Sequence, residues 1–299
     1  MTAKGEGEGG AGAGTGKAGG AQGAAAADGA SAGLPAREPP RAAAPGPGPA
    51  PAAAEAAKAF RRYGLWVVPE GVLGRGEVER CRAAVDRAAE TCRQRRRLLG
   101  TSLAAPLHVS AGTAADFFVH ERQPGRFDIL LPELAAFGHL REKVLALASD
   151  ALGVPQSGLE VRAMGAMVAE PGCAGGPWHR DGADLFPEEG PGTAAALPPY
   201  ACLVFLPLVD VSEVNGSTEL VPESHRHGAP DMETLPSVVM DLPAGSALLF
   251  DYRLYHRAIP NRSQEVRPIL YATVARDWFE DAARDWPAGA CDRFRRLPT

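Results

Sequence analysis

Apolar residues recur at helical spacing along the N-terminal part of the chain. Across 77–99 they fall every three or four positions, which predicts an amphipathic helix. Similar patterns predict helices over 52–62 and 134–152. A short apolar run at 65–68, ended by Pro69, predicts a strand. The N-terminal part of the fold is therefore expected to be mainly helical.

After residue 153 the pattern changes to short apolar runs separated by Gly, Pro and Asn turns. Runs such as 202–206 and 247–250 are apolar on both faces, which is typical of strands in the core of a sandwich or barrel. The predicted strands are 159–169, 200–209, 217–221, 237–241, 246–252 and 267–276. Helices followed by a series of short strands predict an α+β chain with a C-terminal β-sandwich or jelly roll.

Composition sets the limits of the folded part. Residues 1–50 consist mostly of Ala, Gly and Pro and contain no aromatic residue. Such a segment cannot bury enough apolar surface to offset its chain entropy, so we expect residues 1–50 to form a disordered tail. The remainder, 51–299, has a length that suits a single large domain.

Charge, hydropathy and cysteine content indicate which partners and which cellular compartment to expect. A net charge of −5 argues against nucleic acid, and no apolar run is long enough to span a membrane. The basic run 93–97 is interpreted as the end of a helix, where cations suit the helix dipole. Five cysteines without a CxxC spacing indicate free thiols in a reducing compartment. We expect a cytoplasmic protein with a small-molecule substrate, no nucleic-acid partner and no membrane partner; organelle import and oligomeric state stay open.

Three side chains have the composition of a metal site. His179 and Asp181 stand two positions apart, so in an extended segment both face the same side. His256 follows the predicted strand 246–252. Two histidines and one carboxylate form the facial triad of non-haem Fe(II) oxygenases, which leaves coordination positions open for a cosubstrate and dioxygen. For the His-Asp pair alone, two polar residues in a turn remain the alternative.

An arginine at the start of a core strand points to an anion. Arg267 opens the predicted strand 267–276, where a buried cation is costly unless it meets an anion. A guanidinium can bind a carboxylate through two parallel hydrogen bonds. The distal carboxylate of 2-oxoglutarate needs such a partner, and its keto-acid end can chelate iron. The alternative is an ordinary salt bridge with Glu265 or Asp277.

Further motifs accompany these residues. They are His179-Arg180-Asp181, the segments Asn215–Thr218 and Val221–His225, and the block that runs from His256 through Asn261 and Ser263 to Arg267. Together they resemble the phytanoyl-CoA dioxygenase family of Fe(II)/2-oxoglutarate oxygenases. The resemblance implies a double-stranded β-helix, or cupin-like, core with N-terminal helices packed outside. It also implies Fe(II) on His179, Asp181 and His256, with 2-oxoglutarate on Arg267.

The reaction that the resemblance implies is hydroxylation of a C–H bond of a small organic or lipid-like substrate, with O2 consumed and succinate and CO2 released. Related halogenases carry a small residue in place of the carboxylate ligand, and Asp181 fills that position here. Two alternatives stay open. One is a cupin-type metal-dependent oxygenase that does not use 2-oxoglutarate, and the other is a catalytically silent jelly-roll binding domain.

One position departs from the family pattern. Members often carry a hydroxyl residue two positions after the distal histidine, where this chain has Ala258. Thr218 and Ser263 are the candidates to compensate. Tyr200 and Met164, on or beside predicted strands, are further candidates for cosubstrate contacts, and Arg162 is a candidate pocket residue.

The remaining polar residues have weaker assignments. His225 and His227 form a His-x-His pattern that we interpret as structural or solvent-facing. The segments 107–126 and 184–196 are expected to be loops that frame the pocket entrance. Arg126 and Asp128 either meet a polar substrate or pair with each other. The identity of the substrate does not follow from the sequence.

Overall fold

The computed structural model describes residues 53–100, 102–103, 105–111, 114–131, 138–182, 185–186, 193, 196–226, 234–280, 286 and 290. The expected tail, 1–50, lies outside these residues, as do His227 and most of the expected entrance loop 184–196. The division into a tail and one domain therefore stays a prediction.

Three α-helices lie in the described part of the chain: α1 Ala53–Tyr63, α2 Arg75–Leu99 and α3 Gly138–Leu152. They confirm the helices predicted from apolar spacing. The buried stripe of α2 repeats every three or four residues, at Cys81, Ala84, Val85, Ala88, Ala89 and Cys92. Helix α2 ends at Gly100, which adopts a φ of 64° that favours glycine. No helix among the described residues is both long and apolar enough to cross a bilayer.

The described strands are β1 Leu65–Val68, β2 Leu107–Ala111, β3 Ala114–Gln123, β4 Arg126–Leu130, β5 Leu159–Ala169, β6 Ala201–Pro207, β7 Thr218–Leu220, β8 Val238–Val239, β9 Ala247–Asp251, β10 His256–Ala258 and β11 Arg267–Arg276. They form one eight-stranded sheet, ordered β1-β9-β6-β11-β5-β4-β3-β2, and one three-stranded sheet, ordered β10-β7-β8. The Phe250 ring of the large sheet lies 4.7 Å from the His256 ring of the small sheet, so the two sheets face each other. This is the predicted double-stranded β-helix core.

Strands β2, β3 and β4 correct the expectation that 107–126 is an entrance loop. They form an antiparallel meander that extends the large sheet beyond β5. Polar residues such as Glu121 and Asp128 interrupt the apolar pattern of these strands, although both are buried. The turn Pro124-Gly125, with apolar runs on either side, was the signal for a hairpin.

The basic run 93–97 joins α2 to the large sheet. The Arg93 Nε lies 2.7 Å from a carboxylate oxygen of Glu170, and the Arg96 Nη1 lies 2.8 Å from one of Glu121. The buried Glu121 carboxylate also accepts hydrogen bonds from the amides of Leu103 and Gly125 and the hydroxyl of Ser102. The run does end a helix, as expected, and two of its arginines hold that helix against the sheet.

Replacing Glu121 with alanine is expected to lower the free energy of unfolding by about 2–4 kcal/mol. Two amides and the Ser102 hydroxyl would lose their acceptor, while Arg96 would retain Glu170. An unsatisfied buried group costs about 1–3 kcal/mol. Urea denaturation at neutral pH measures the change. The control is Glu79→Ala, which removes an exposed pair with Arg75 and should cost less than about 0.5 kcal/mol.

The same carboxylate predicts a pH dependence. Burial alone would raise the pKa of Glu121, but hydrogen bonds from the Gly125 and Leu103 amides, Arg96 and Ser102 outweigh it and lower the pKa. A lowered folded-state pKa stabilises the protein above the unfolded pKa, about 4.3, and this contribution is lost as pH falls through the folded value. The difference between Glu121→Ala and the wild type should therefore shrink below about pH 4. A difference that stays constant across this range would contradict the assignment.

Candidate metal and cosubstrate site

A backbone bridge brings two of the predicted ligands together. The amide of His179 donates to the carbonyl of His256, and the amide of His256 donates to the carbonyl of His179, both at 3.0 Å. Residues paired in this way point to the same side, and the two imidazole centroids lie 4.3 Å apart. Asp181, two residues after His179, faces the same space. The local strand geometry thus assembles all three side chains.

The candidate ligand atoms converge. The Oδ1 of Asp181 lies 3.8 Å from the Nε2 of His179, and its Oδ2 lies 3.6 Å from the Nε2 of His256. One ligand atom from each residue lies within 4.8 Å of the others, and the described residues contain no other such group of His, Cys, Asp and Glu. The Asp181 Oδ2 is buried and has no hydrogen-bond donor in the described part of the chain. Because a buried carboxylate oxygen without a donor is costly, these residues fit a bound cation.

Backbone carbonyls set the tautomer of both imidazoles. The Nδ1 of His179 lies 3.0 Å from the Pro177 carbonyl oxygen, and the Nδ1 of His256 lies 3.0 Å from that of Leu254. A carbonyl oxygen only accepts, so each Nδ1 carries the proton and each Nε2 offers its lone pair. Burial lowers the pKa of His256 to about 4, although Asp181 opposes the shift. His256 is therefore neutral, the form that binds metals, at physiological pH.

The neighbours of the ligands account for the rest of the segment 177–182. Gly182 donates its amide to the Tyr252 carbonyl at 3.1 Å, and a Cβ at this position would lie 2.6 Å from the Tyr252 ring. The guanidinium of Arg180 lies 5.2 Å from the centroid of the Tyr255 ring. Trp178 stacks under Arg257, at 4.3 Å. The glycine thus permits a close backbone approach, while Arg180 and Trp178 pack against aromatic or cationic neighbours instead of the metal site.

Two arginines flank Ala169 on the face of the large sheet that looks onto the triad. Ala169 pairs with Arg267 on one side and with Arg126 on the other, so the three side chains point the same way. Met167, two residues earlier on β5, shares this face. A pocket of about 610 Å³ is lined by Arg126 and Met167 together with His179, Asp181 and Ala258.

Neither arginine has a counter-ion among the described residues. Arg267 is 3% exposed, and its Nε is buried without an acceptor. Burial and the nearby charge of Arg126 lower the pKa of Arg267 to about 9, and burial lowers the pKa of Arg126 as well. The alternative salt bridge with Glu265 or Asp277 is not formed. A buried guanidinium next to a second, half-buried one on the same face is unfavourable until an anion binds them, which fits a carboxylate ligand.

Arg126 is the site residue whose role the sequence predicts least well. Its proposed partner Asp128 accepts hydrogen bonds from Arg122 and from the hydroxyl of Tyr271, both at 2.9 Å. Arg126 is the first residue of β4, and Arg267 is the first residue of β11. An arginine at the first position of an apolar strand indicates an anion site, and this sequence signal is present at both residues.

Thr218 lies beside Ala258, the position where family members often carry a hydroxyl residue. It pairs with Ala258 across β7 and β10, so its side chain shares the face that carries Ala258 and His256. Ser263 is committed to a turn, because its hydroxyl donates to the Asn261 side chain at 2.7 Å. Of the two residues considered to compensate for Ala258, the structure brings only Thr218 to this face.

The structure does not bring Met164, Tyr200 or Arg162 to the pocket. Met164 lies three residues from Met167 on β5 and therefore faces the opposite side of the sheet. The Tyr200 ring packs 4.8 Å from Phe279, and its carbonyl accepts from the amide of Arg276, at the end of β11 far from Arg267. Arg162 pairs with Glu160 at 2.8 Å. These three residues are corrected to core and structural positions.

His225 has a structural role, as expected. It is 3% exposed, and its Nε2 lies 3.1 Å from the carbonyl oxygen of Arg61. A Cβ on Gly64 would lie 2.4 Å from its Nδ1, so the ring fills the space beside that glycine.

Comparison with known proteins gives matches over most of the chain. The phytanoyl-CoA dioxygenase (PhyH) family model matches residues 60–269. The dioxygenase FrzG of Cladobotryum sp is 26% identical over 229 residues, which are 70% of this chain and 69% of that protein. The range that the family model matches includes both the triad and Arg267.

Solved structures show the same fold. EvdO2 from Micromonospora carbonacea var. aurantiaca, complexed with 2-oxoglutarate, has a TM-score of 0.55 at 20% identity and covers 80% of this chain and 96% of its own. HygX from Streptomyces hygroscopicus, with nickel and 2-oxoglutarate bound, has a TM-score of 0.54 at 19% identity and covers 76% and 88%. The family model covers well over half of this sequence and includes the HxD…H site and Arg267, so the chain belongs to the phytanoyl-CoA dioxygenase family.

Proposed function

We propose that this Fe(II)/2-oxoglutarate-dependent dioxygenase binds iron through His179, Asp181 and His256 and binds the distal carboxylate of 2-oxoglutarate through Arg267. The observation that carries the proposal is the convergence of three ligand atoms within 4.8 Å, beside a pocket that Arg126 lines. By strand register, the buried Arg267 lies on the same face of the sheet as Arg126. Solved relatives with 2-oxoglutarate bound, one of them also with nickel, support the choice of cosubstrate.

Bound Fe(II) would supply the redox and Lewis-acid chemistry that activates dioxygen. The chain itself would position the cosubstrate and exclude water from the site. Arg267 holds one end of the cosubstrate, with Arg126 as a second cation, so that the keto-acid end reaches toward the triad. The Phe250 ring lies 4.7 Å from His256, and Phe205 packs 4.9 Å from Phe250, which gives the ligands a dry aromatic wall.

The reaction we propose is hydroxylation of an unactivated C–H bond. One oxygen atom of O2 enters the substrate, and the other enters the succinate that forms as 2-oxoglutarate loses CO2. The pocket is also lined by Arg122, Gln123, Arg180 and Tyr255. This polar lining favours a small organic substrate with hydrogen-bonding groups near the C–H bond that reacts.

The wild-type protein is expected to release succinate from 2-oxoglutarate in the presence of Fe(II) and O2, slowly without a substrate and faster when one is added. Chromatographic measurement of succinate, with and without an iron chelator, tests this and allows candidate substrates to be screened. Iron binding without any 2-oxoglutarate binding would favour the cupin-type oxygenase instead. Absence of specific iron binding would favour a silent domain.

A further inference from the structure

A second pocket of about 600 Å³ lies beside α1, and none of its described lining residues also lines the catalytic pocket. Its polar lining residues are Lys58, Arg61, Arg62, His225, Arg226 and Arg253. No carboxylate is among its described lining residues. Four of these cations, Lys58, Arg61, Arg62 and Arg226, are exposed and repel one another around one concave surface, whereas the charge of Arg253 is matched by Asp251. An anion in the pocket would relieve that repulsion.

The rim cations come from two elements. Lys58, Arg61 and Arg62 have i, i+3 and i+4 spacing on α1, which places them on one helix face. Arg226 comes from the short 3₁₀ turn Ser224–Arg226. Their convergence from separate parts of the sequence distinguishes the pocket from the solvated face of a single helix.

The floor of the pocket is buried and held in place. Arg253 is 2% exposed and is fixed by two hydrogen bonds to Asp251, at 2.8 and 2.9 Å. Its Nη1 lies 3.3 Å from the carbonyl oxygen of Leu197, which belongs to the wall. The pocket therefore has a fixed floor beneath exposed rim cations, and a fixed floor lowers the cost of ordering a bound anion.

We propose that this pocket binds a phosphate-bearing small molecule, with a diphosphate as the group of matching charge. A diphosphate presents several oxygens and about three negative charges, so it can engage cations from both α1 and the turn Ser224–Arg226, whereas a single carboxylate has two oxygens and one charge. Arginine and lysine are the side chains that proteins use for such groups. The volume is within the range of small-molecule pockets, about 300–1,000 Å³. This inference does not depend on the catalytic assignment.

The test is calorimetric titration of the full chain with inorganic pyrophosphate at low salt. We expect saturable one-to-one binding that weakens as salt increases. The triple variant Lys58→Glu/Arg62→Glu/Arg226→Glu should reduce the affinity at least tenfold. Arg61 is left unchanged because its Nη2 packs against Gly153 beyond α3. The matched control, Arg80→Glu/Arg87→Glu/Arg95→Glu, makes the same change in net charge at exposed positions of α2 and should bind like the wild type.

Competition separates this pocket from the catalytic one. Pyrophosphate binding should persist in the presence of saturating 2-oxoglutarate and in an Arg267→Ala variant. Binding that disappears in either case would place the anion in the catalytic pocket and overturn the proposal. Equal loss in the α2 control would mean an adventitious ion only. Binding of citrate as strong as that of pyrophosphate would refute the preference for phosphate.

Discussion

Replacing Asp181 with alanine is expected to abolish Fe(II) binding and succinate formation while leaving the metal-free protein folded. The carboxylate is the anionic member of the triad and lies 3.6–3.8 Å from both Nε2 atoms. Loss of an outer hydrogen-bond partner of a metal ligand already costs 10–100-fold in affinity, so loss of the ligand itself should cost at least about 100-fold. His179→Ala and His256→Ala should behave similarly.

The stability of the same variant separates a site effect from misfolding. In the metal-free protein the Asp181 Oδ2 is buried without a donor, so its removal should leave the melting temperature unchanged or slightly raised. Anaerobic calorimetry measures iron binding, and thermal unfolding measures stability. The controls are His139→Ala and Asp86→Ala, which alter exposed residues outside the pocket and should bind iron normally. Iron binding that survives in all three triad variants would refute the site.

Replacing Arg267 with alanine is expected to weaken 2-oxoglutarate binding while iron binding is retained. Removal of one partner from a buried charged pair costs about 2–5 kcal/mol, which corresponds to roughly 30-fold to several thousand-fold in Kd. Arg267→Lys keeps the charge but loses the two parallel hydrogen bonds, so its loss should be intermediate. Titration of the Fe(II)-loaded protein with 2-oxoglutarate under anaerobic conditions measures each value.

The neighbouring Arg262 supplies the matched control. It lies five residues before Arg267, is exposed, and makes its hydrogen bond through its backbone amide. Arg262→Ala should bind 2-oxoglutarate like the wild type. Because Arg267 is desolvated and unpaired in the ligand-free protein, Arg267→Ala should not lower the melting temperature. A large loss of stability with unchanged 2-oxoglutarate affinity would show that Arg267 is structural.

The sequence predicted the elements whose pattern is simple. Strands β5 and β11 were predicted with the bounds that the structure shows, because both are long, mainly apolar runs that end at polar, Gly or Pro residues. Strands β2 and β3 were expected to belong to an entrance loop, because buried carboxylates such as Glu121 become understandable only when the partners from α2 are known. Buried polar networks of this kind conceal the strand pattern.

Some residues of the candidate site could likewise be predicted from a simple sequence pattern, and others could not. His179 and Asp181 could be found from spacing, since an HxD segment places two ligands on one side of a strand, and His256 could be found because it follows a predicted core strand. Met164 could not be assigned correctly, because β5 is buried on both faces and the apolar pattern does not reveal which face meets the pocket. Only the pairing of Ala169 with Arg126 and Arg267 identifies that face.

The hydrogen bonds from the two imidazole Nδ1 atoms to backbone carbonyl oxygens affect how this site tolerates mutation. The acceptors belong to the main chain of residues 177 and 254, so substitutions of those side chains that preserve the backbone cannot remove them. In many metal sites the corresponding acceptor is a carboxylate side chain, which a single codon change eliminates. Here the fragile position is instead Gly182, where any side chain would meet the Tyr252 ring. The ligand tautomers are thus robust to genetic drift, whereas the turn that follows them is not.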